Sequence, residues 1–313
     1  MNTILWQRKA KMAKDIYKSG FVAIIARPNV GKSTLLNKIV GQKIAITTPV
    51  AQTTRKNIKG FFSDENSQII FIDTPGIHKP LNRLGEALSE QSQSVLGDVD
   101  LILFLVDAKD EAGRGDKWIV DNYLKDIKTP ILLVLNKVDL IKDLAKRELN
   151  TFSYKKLFET NVPDTIKISA KTGRNVDDLI KKIKEYLPEG APLYDEDEVT
   201  DQSMREIASE VIREKIIFST KDEIPHSVAV LIENYQEDEK IDRINAKIIV
   251  SNDSQKKILI GKSGSMLKKI GTSARIELEK ILDKKVFLEL FVKVQKNWQK
   301  DDAFIKSLGL DVK

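Results

Sequence analysis

Hydrophobic positions follow two rhythms along this chain. From residue 21 to about residue 187, short apolar runs alternate with stretches of helical period. The runs are Phe21-Val22-Ala23-Ile24-Ile25, Gln68-Ile69-Ile70-Phe71-Ile72, Leu101-Ile102-Leu103-Phe104-Leu105-Val106, Pro130-Ile131-Leu132-Leu133-Val134-Leu135 and Thr165-Ile166-Lys167-Ile168; Leu35-Leu36-Asn37-Lys38-Ile39-Val40 typifies the helical stretches. Unbroken apolar runs of this length read as strands buried on both faces. Their alternation with helices predicts βαβ units and a mostly parallel sheet with helices on both sides. The segment Leu187-Pro188-Glu189-Gly190-Ala191-Pro192 ends this rhythm and reads as a linker. Beyond it a helical stretch spans 201 to about 218. Two alternating strands follow, 226–233 and 243–250, then a helix-loop-helix centred on 261–264, and a last strand at 286–294. The predicted order of this second unit is α-β-β-α-α-β.

Composition narrows the class. A length of 313 residues suggests about two domains, and 41% hydrophobic residues suffice for ordinary cores. With no cysteine, neither a disulfide framework nor a thiolate metal site can form, which fits a reducing cytoplasm. No apolar run approaches the length of a membrane span, and residues 1–20 lack the apolar stretch of a signal peptide. Net charge is +6, unevenly spread: from Gln255 to Lys313 there are 14 Lys and Arg against 7 Asp and Glu. Such a basic end suits a polyanionic partner, nucleic acid or anionic lipid. The stretch Asp195-Glu196-Asp197-Glu198 is acidic instead.

The first strand runs into Ala26-Arg27-Pro28-Asn29-Val30-Gly31-Lys32-Ser33-Thr34, and a helix follows. Strand, loop and helix in this order form a phosphate-binding loop. Its backbone N–H groups and the helix N-terminus face the phosphates, Lys32 reaches the β- and γ-phosphates, and the Ser33 hydroxyl binds Mg²⁺. The usual pattern begins with Gly, where this chain has Ala26, whose methyl crowds the backbone if the position needs a positive φ.

Three further boxes follow. Asp73-Thr74-Pro75-Gly76 leaves the second strand: Asp73 can hold Mg²⁺ through water, and Gly76 lets its N–H approach the γ-phosphate. Asn136-Lys137-Val138-Asp139 ends a later strand. The Asp139 carboxylate can accept two hydrogen bonds from guanine N1–H and the 2-amino group, a pair adenine lacks, which favours GTP over ATP. Lys137 lays its stem along the base. Ser169-Ala170-Lys171 follows, where backbone meets guanine O6. In the second unit, Gly261-Lys262-Ser263-Gly264 between two helices is the backbone clamp of a KH domain, with Lys262 neutralising a phosphate.

Taken together, these motifs resemble the bacterial Era GTPases. The stretches that carry the resemblance are Arg27 to Asn37, Gln52-Thr53-Thr54-Arg55, Asp73 to Ile77, Asn136 to Asp139, Ile260 to Gly264, and the tail from Val286 to Val294 with Lys296-Asn297-Trp298. The resemblance implies a P-loop GTPase domain of α/β class followed by an α+β type II KH domain. Its expected division is a basic N-terminal extension at 1–19, the GTPase domain at 20–190, a linker at 191–200 and the KH domain with its tail at 201–313. It implies a GTP-hydrolysing switch that binds the 3′ end of 16S ribosomal RNA and acts in 30S subunit assembly and rRNA processing. It further implies a cytoplasmic monomer with peripheral contact to the inner face of an anionic membrane. The catalytic set becomes Lys32, Thr54, Asp73 and Gly76, with Thr54 as the threonine that closes on Mg²⁺ and Thr53 as the nearby alternative. Ile77, which stands where many small GTPases carry a water-orienting Gln, belongs to the nucleotide-binding set but cannot orient water, so slow intrinsic turnover is expected. Related GTPases with Asn in the P-loop use it to hold K⁺, which makes Asn29 a K⁺ ligand; its other reading is a turn former.

Competing readings are a passive RNA-binding protein whose nucleotide domain is structural, and a GTPase acting on tRNA or on another ribosomal subunit. For coupling between the domains, the expectation is that the acidic stretch 195–201 pairs with the basic KH surface in one state and releases it when RNA arrives.

Overall fold

The computed structural model describes residues 17–48, 50, 53–77, 80, 83–159 and 161–310; most of the basic N-terminal extension, and Gln52, lie outside them. The first unit comprises β1 (Lys18–Ile25), α1 (Lys32–Val40), β2 (Ile58–Asp64), β3 (Ser67–Asp73), α2 (Arg83–Ser94), β4 (Leu101–Asp107), α3 (Arg114–Ile119), β5 (Ile131–Asn136), α4 (Leu144–Lys155), β6 (Asp164–Lys167) and α5 (Val176–Tyr186). The sheet order is β2-β3-β1-β4-β5-β6. All neighbours are parallel except β2, which pairs antiparallel with β3.

Every residue of β3 and β4 is buried, as the unbroken apolar runs require. Successive side chains alternate between the faces. Val22, Ile24, Leu103 and Leu105 share a core with Leu35 and Leu36 of α1 and Leu179 and Ile183 of α5. Ala23, Ile25, Phe104 and Val106 share the opposite core with Ile119 of α3 and Tyr154 of α4. The C-terminal ends of β1, β3 and β5 therefore converge on one edge of the sheet, where ligands of open α/β sheets bind.

Three sequence expectations change. The apolar pattern does not announce strand β2, because Gly60 interrupts it. The glycine is needed there, since a Cβ would lie 2.6 Å from Leu36 Cδ1 of α1. Strand β1 begins at Lys18, ahead of the expected domain start, and the Lys18 ammonium donates to the Lys184 carbonyl at 2.7 Å. The 191–200 segment lies along the β2 edge: Tyr194 stacks on Phe61 with ring centroids 4.1 Å apart, and Phe61 N–H donates to the Val199 carbonyl at 2.9 Å. That bond covers part of an otherwise open sheet edge.

The second unit comprises α6 (Met204–Ser219), β7 (Ala229–Gln236), β8 (Ile241–Val250), α7 (Asp253–Ile260), α8 (Ser265–Leu282), β9 (Lys285–Val294) and α9 (Asp302–Ser307). Strand β8 is central, antiparallel to β7 and parallel to β9. Helix α6 starts at a reciprocal cap: Glu206 N–H donates to the Ser203 hydroxyl, and Ser203 N–H to the Glu206 carboxylate. The strand expected from His226 begins instead at Ala229, because Ile224–Ser227 forms a single helical turn with Pro225 at its start.

Candidate nucleotide site and nucleic-acid interface

The loop between β1 and α1 is built by two left-handed residues, Asn29 (φ 64°) and Gly31 (φ 105°). A side chain at Gly31 is excluded twice, by its φ and because a Cβ would lie 2.5 Å from Asn136 Nδ2. Ala26 has a negative φ and its methyl is packed in the core, so the departure from Gly does not strain the loop. Arg27 ties the loop to α3 through a 2.7 Å ion pair with the buried Asp116.

Below the loop, Lys32, Ser33, Thr54 and Asp73 meet. Ser33 Oγ donates to Asp73 Oδ2 at 2.6 Å, and Thr54 Oγ1 lies 3.0 Å from Ser33 Oγ. Lys32 Nζ is 4.0 Å from Asp73 Oδ1. Burial pushes the Asp73 carboxyl up, against the pull of Lys32, Ser33 and Thr54; burial pulls the Lys32 ammonium down, against Asp73. Asp73 Oδ1 is buried without a hydrogen-bond partner. An orphaned carboxylate oxygen beside two hydroxyls is a donor set of hard oxygens, which fits Mg²⁺. No cluster of three or more His, Cys, Asp or Glu that could hold a metal ion stands among the described residues. Thr53 turns away, its hydroxyl 2.6 Å from that of Thr48.

Gly76 closes the phosphate end of the cleft, where a Cβ would stand 3.1 Å from Pro28 Cα. Its neighbours point elsewhere. Thr74 donates its hydroxyl to the Ile24 carbonyl at 2.9 Å, Pro75 is buried, and Ile77 sits in the core with its N–H on the Ala26 carbonyl at 3.0 Å. These three expected nucleotide contacts therefore act by fixing the turn that presents Gly76.

The base end is organised by Asn136. Its amide donates to the Val30 carbonyl and its carbonyl accepts from Ala170 N–H, both at 2.9 Å. One buried side chain thus holds the phosphate loop and the Ser169-Ala170-Lys171 loop in register. Ala170 N–H is thereby engaged within the protein, whereas Lys171 is exposed. Ser169 is buried and accepts from Thr172 N–H at 3.2 Å. Lys137, at φ 66°, bridges the Asn29 carbonyl and Asp107, each at 2.7 Å. Asp139 is exposed.

In the second unit, Gly261 (φ 74°), Ser263 (φ 50°) and Gly264 (φ 78°) turn the chain between α7 and α8. A Cβ at Gly261 would lie 2.8 Å from Met266 N. Lys262 and Ser263 are exposed at the tip, directly ahead of the N-terminus of α8.

Residues 21–137 match the family described as 50S ribosome-binding GTPase, and residues 223–299 match the KH domain family. A tyrosine-to-alanine variant of Aquifex aeolicus Era bound to GDP·AlF4⁻ superimposes with a TM-score of 0.90 at 39% identity, covering 94% of this chain and 100% of that one. Era in complex with MgGDPNP and nucleotides 1506–1542 of 16S ribosomal RNA gives the same score and identity over 95% of this chain and 100% of that one. The chain belongs to the Era GTPase family.

Between the two units of this Era-family chain lies a set of contacts that sequence reasoning missed. Arg55, the residue after Thr54, is buried in the KH domain. Its guanidinium donates to the Val228 carbonyl at 2.7 Å and the His226 carbonyl at 3.3 Å, and lies 5.8 Å from the Trp298 ring centre. Burial, with Arg213 nearby, pushes Arg55 down to about 9. Arg213 of α6 donates to the Thr53 carbonyl and pairs with Glu210. Lys43 pairs with Glu214 at 2.7 Å and Glu277 at 2.9 Å, and Thr47 N–H donates to Glu214 at 3.2 Å. Leu84, Ala87 and Leu88 of α2 pack on Ala229, Ile249, Trp298 and Ile305. Arg55 and Trp298 stood in motifs already singled out, whereas nothing near Arg213 signals its role. In this state the acidic stretch makes no such link: Asp195 to Glu198 are exposed without ion pairs among the described residues, and Asp201 pairs with Lys59 of the GTPase domain at 2.8 Å.

Proposed function

We propose that this chain is a GTP-hydrolysing switch whose nucleotide state is read by its KH domain, which binds the 3′ end of 16S ribosomal RNA during 30S subunit assembly and rRNA processing. The observation that carries this reading is the adjacency of Thr54 and Arg55: one residue faces the Mg²⁺ position and the next is locked into the KH domain. A γ-phosphate that draws Thr54 inward therefore pulls on Arg55, and its loss releases both. The full-length likeness to Era structures holding MgGDPNP and a 16S rRNA segment supports the ligands proposed here.

In this reading Lys32 and the loop N–H groups hold the β- and γ-phosphates, Gly76 N–H approaches the γ-phosphate, and Ser33, Thr54 and Asp73 hold the Mg²⁺ position. Mg²⁺ supplies neutralisation of charge on the phosphate oxygens. Asp139 selects guanine, Lys137 covers the base, and Lys171 N–H takes O6. Asn29 contributes to a K⁺ position that substitutes for an arginine finger. Lys262 and the glycines around it clamp the RNA backbone. We assign the GTPase domain to the chain from its first strand at Lys18 to residue 190, the linker to 191–200 and the KH domain with its tail to 201–313. The protein works as a cytoplasmic monomer, its basic surfaces permitting peripheral contact with anionic lipid; no helix among the described residues is long and apolar enough to cross a membrane.

The test is GTP turnover in K⁺ and in Na⁺ buffer, each with and without a single-stranded RNA copying the 3′ end of 16S rRNA. Stimulation by RNA supports the coupled switch, and RNA binding without any change in turnover refutes it. Equal rates in K⁺ and Na⁺ remove Asn29 from the mechanism.

A further inference from the structure

One face of the KH sheet packs on α6, α7 and α8. The opposite face divides into two halves. At one end, Ala229 and Ile249 are covered by α2, Trp298 and Ile305. At the other, no element among the described residues covers the face, and two large aromatic side chains stand on it: Phe287 is 43% exposed and Phe291 53%. They lie four residues apart on β9, so they share a face about 13 Å apart along the strand. Parallel pairing sets Arg243 beside Phe287, Asn245 beside Glu289 and Lys247 beside Phe291. The Arg243 guanidinium lies 5.5 Å from the Phe287 ring centre. Lys285, Arg243 and Lys247 give this half three cations against Glu289 and Glu233, the latter paired with Lys247, and Lys293 stands at its border beside Ile249.

This half adjoins the glycine loop. Helix α8 runs back antiparallel over β9, and a Cβ on Gly271 would touch Leu290 Cδ1 at 3.4 Å. Seven helical residues from Gly271 to Gly264 rise about 10 Å, as do three strand residues from Leu290 to Lys293. The loop therefore sits level with Lys293, and β9 is an edge strand. An RNA leaving the clamp has only that edge to cross to reach Phe291 and then Phe287.

We propose that the open sheet face is a second RNA subsite, a stacking platform on which Phe291 and Phe287 take two unpaired bases of the strand held at Gly261–Gly264, with Arg243, Lys247 and Lys293 at the phosphates. Exposed aromatic rings within a cationic surface are how proteins hold single strands without reading every base. The inference rests on the KH domain binding RNA at its glycine loop.

The test measures affinity for two single-stranded RNAs from the 3′ end of 16S rRNA, one of about six nucleotides that fills only the clamp and one of about twelve that reaches the platform. The proteins are the wild type, Phe287→Ala/Phe291→Ala, Phe287→Trp/Phe291→Trp and Lys262→Asp/Ser263→Asp. The alanine pair is expected to bind the short RNA as wild type does and to lose about 10-fold or more on the long one. The tryptophan pair should retain affinity, and 2-aminopurine in the distal part of the long RNA should be quenched only when the rings are present. Unchanged affinity of the alanine pair for the long RNA overturns the platform. If the wild type does not bind the short RNA, or the loop variant binds it undiminished, the KH reading fails, and the platform falls with it. If the alanine pair instead loses sedimentation with phosphatidylglycerol vesicles while RNA affinity stays, the face is a lipid surface. If it loses self-association, the occupant is a second copy. Either result overturns the RNA assignment.

Discussion

Asn136 shows how much one side chain can organise. Its amide satisfies a carbonyl of the phosphate loop and an N–H of the base loop, and it is almost wholly buried. Replacing it with Ala leaves both groups buried and unpaired. We expect Asn136→Ala to lower the stability of the nucleotide-free protein by about 2–4 kcal/mol, measured by urea unfolding, and to weaken GTP binding as well. Asp73→Asn keeps the shape but removes the charge that suits Mg²⁺. The expected loss in Mg²⁺-dependent turnover is on the order of 10²–10³-fold, measured as single-turnover phosphate release, with guanine selectivity unchanged. Asp139→Ala should do the reverse: discrimination between GTP and ATP collapses while the metal requirement stays.

Among the elements, the segment from Lys43 to Asn57 matters most, because it is held at both ends of its function. It meets the phosphate site through Thr54 and the KH domain through Lys43, Thr47, Thr53 and Arg55. Cutting Arg55 back to Ala frees the Val228 carbonyl, leaves the His226 carbonyl to the Gln299 amide alone and uncovers Trp298. The expected outcome is near-normal GTP binding with RNA stimulation of turnover reduced to about 1-fold, and about 1–3 kcal/mol less stability. Arg55→Lys should not rescue coupling, since an ammonium cannot reproduce a planar fork that reaches two carbonyls and an indole at once. Strand β2 illustrates the limit of patterns at this scale. Its glycine makes sense only beside Leu36 of a different element, so periodicity alone could not have found it.

At the scale of the whole molecule, the two domains meet through buried contacts and a partly exposed ion-pair set, and the latter is sensitive to pH. Lys43 holds the Glu277 carboxyl below its ordinary value of 4.5. A depressed carboxyl contributes stability that is fully present above the unfolded pKa and is lost as pH falls through the folded one. The domains should therefore stay docked at neutral pH and loosen as pH drops below about 4.5, by well under 1 kcal/mol from this pair. Small-angle scattering across pH 3–7 checks this, and Lys43→Met should flatten the dependence.

Phosphate loop, guanine box, glycine clamp and the order of elements, strand β2 apart, were legible from sequence because each depends on residues close together in the chain. A strand must be apolar to be buried, a tight loop needs glycine where φ is positive, and a helix shows its period. Of the three side chains that meet below the loop, Ser33 and Asp73 stood in motifs, and Thr54 was singled out by the family resemblance. What tertiary structure alone decided was which groups meet across long separations: Asn136 with Val30 and Ala170, Arg55 with Val228 and Trp298, Arg213 with Thr53. The acidic linker looked like the natural partner for a basic domain, yet it lies along the β2 edge. Charge acts over several ångströms in every direction and leaves the choice of partner open, whereas a buried guanidinium needs a carbonyl or carboxylate at hydrogen-bond distance, and only the folded backbone determines where one will be.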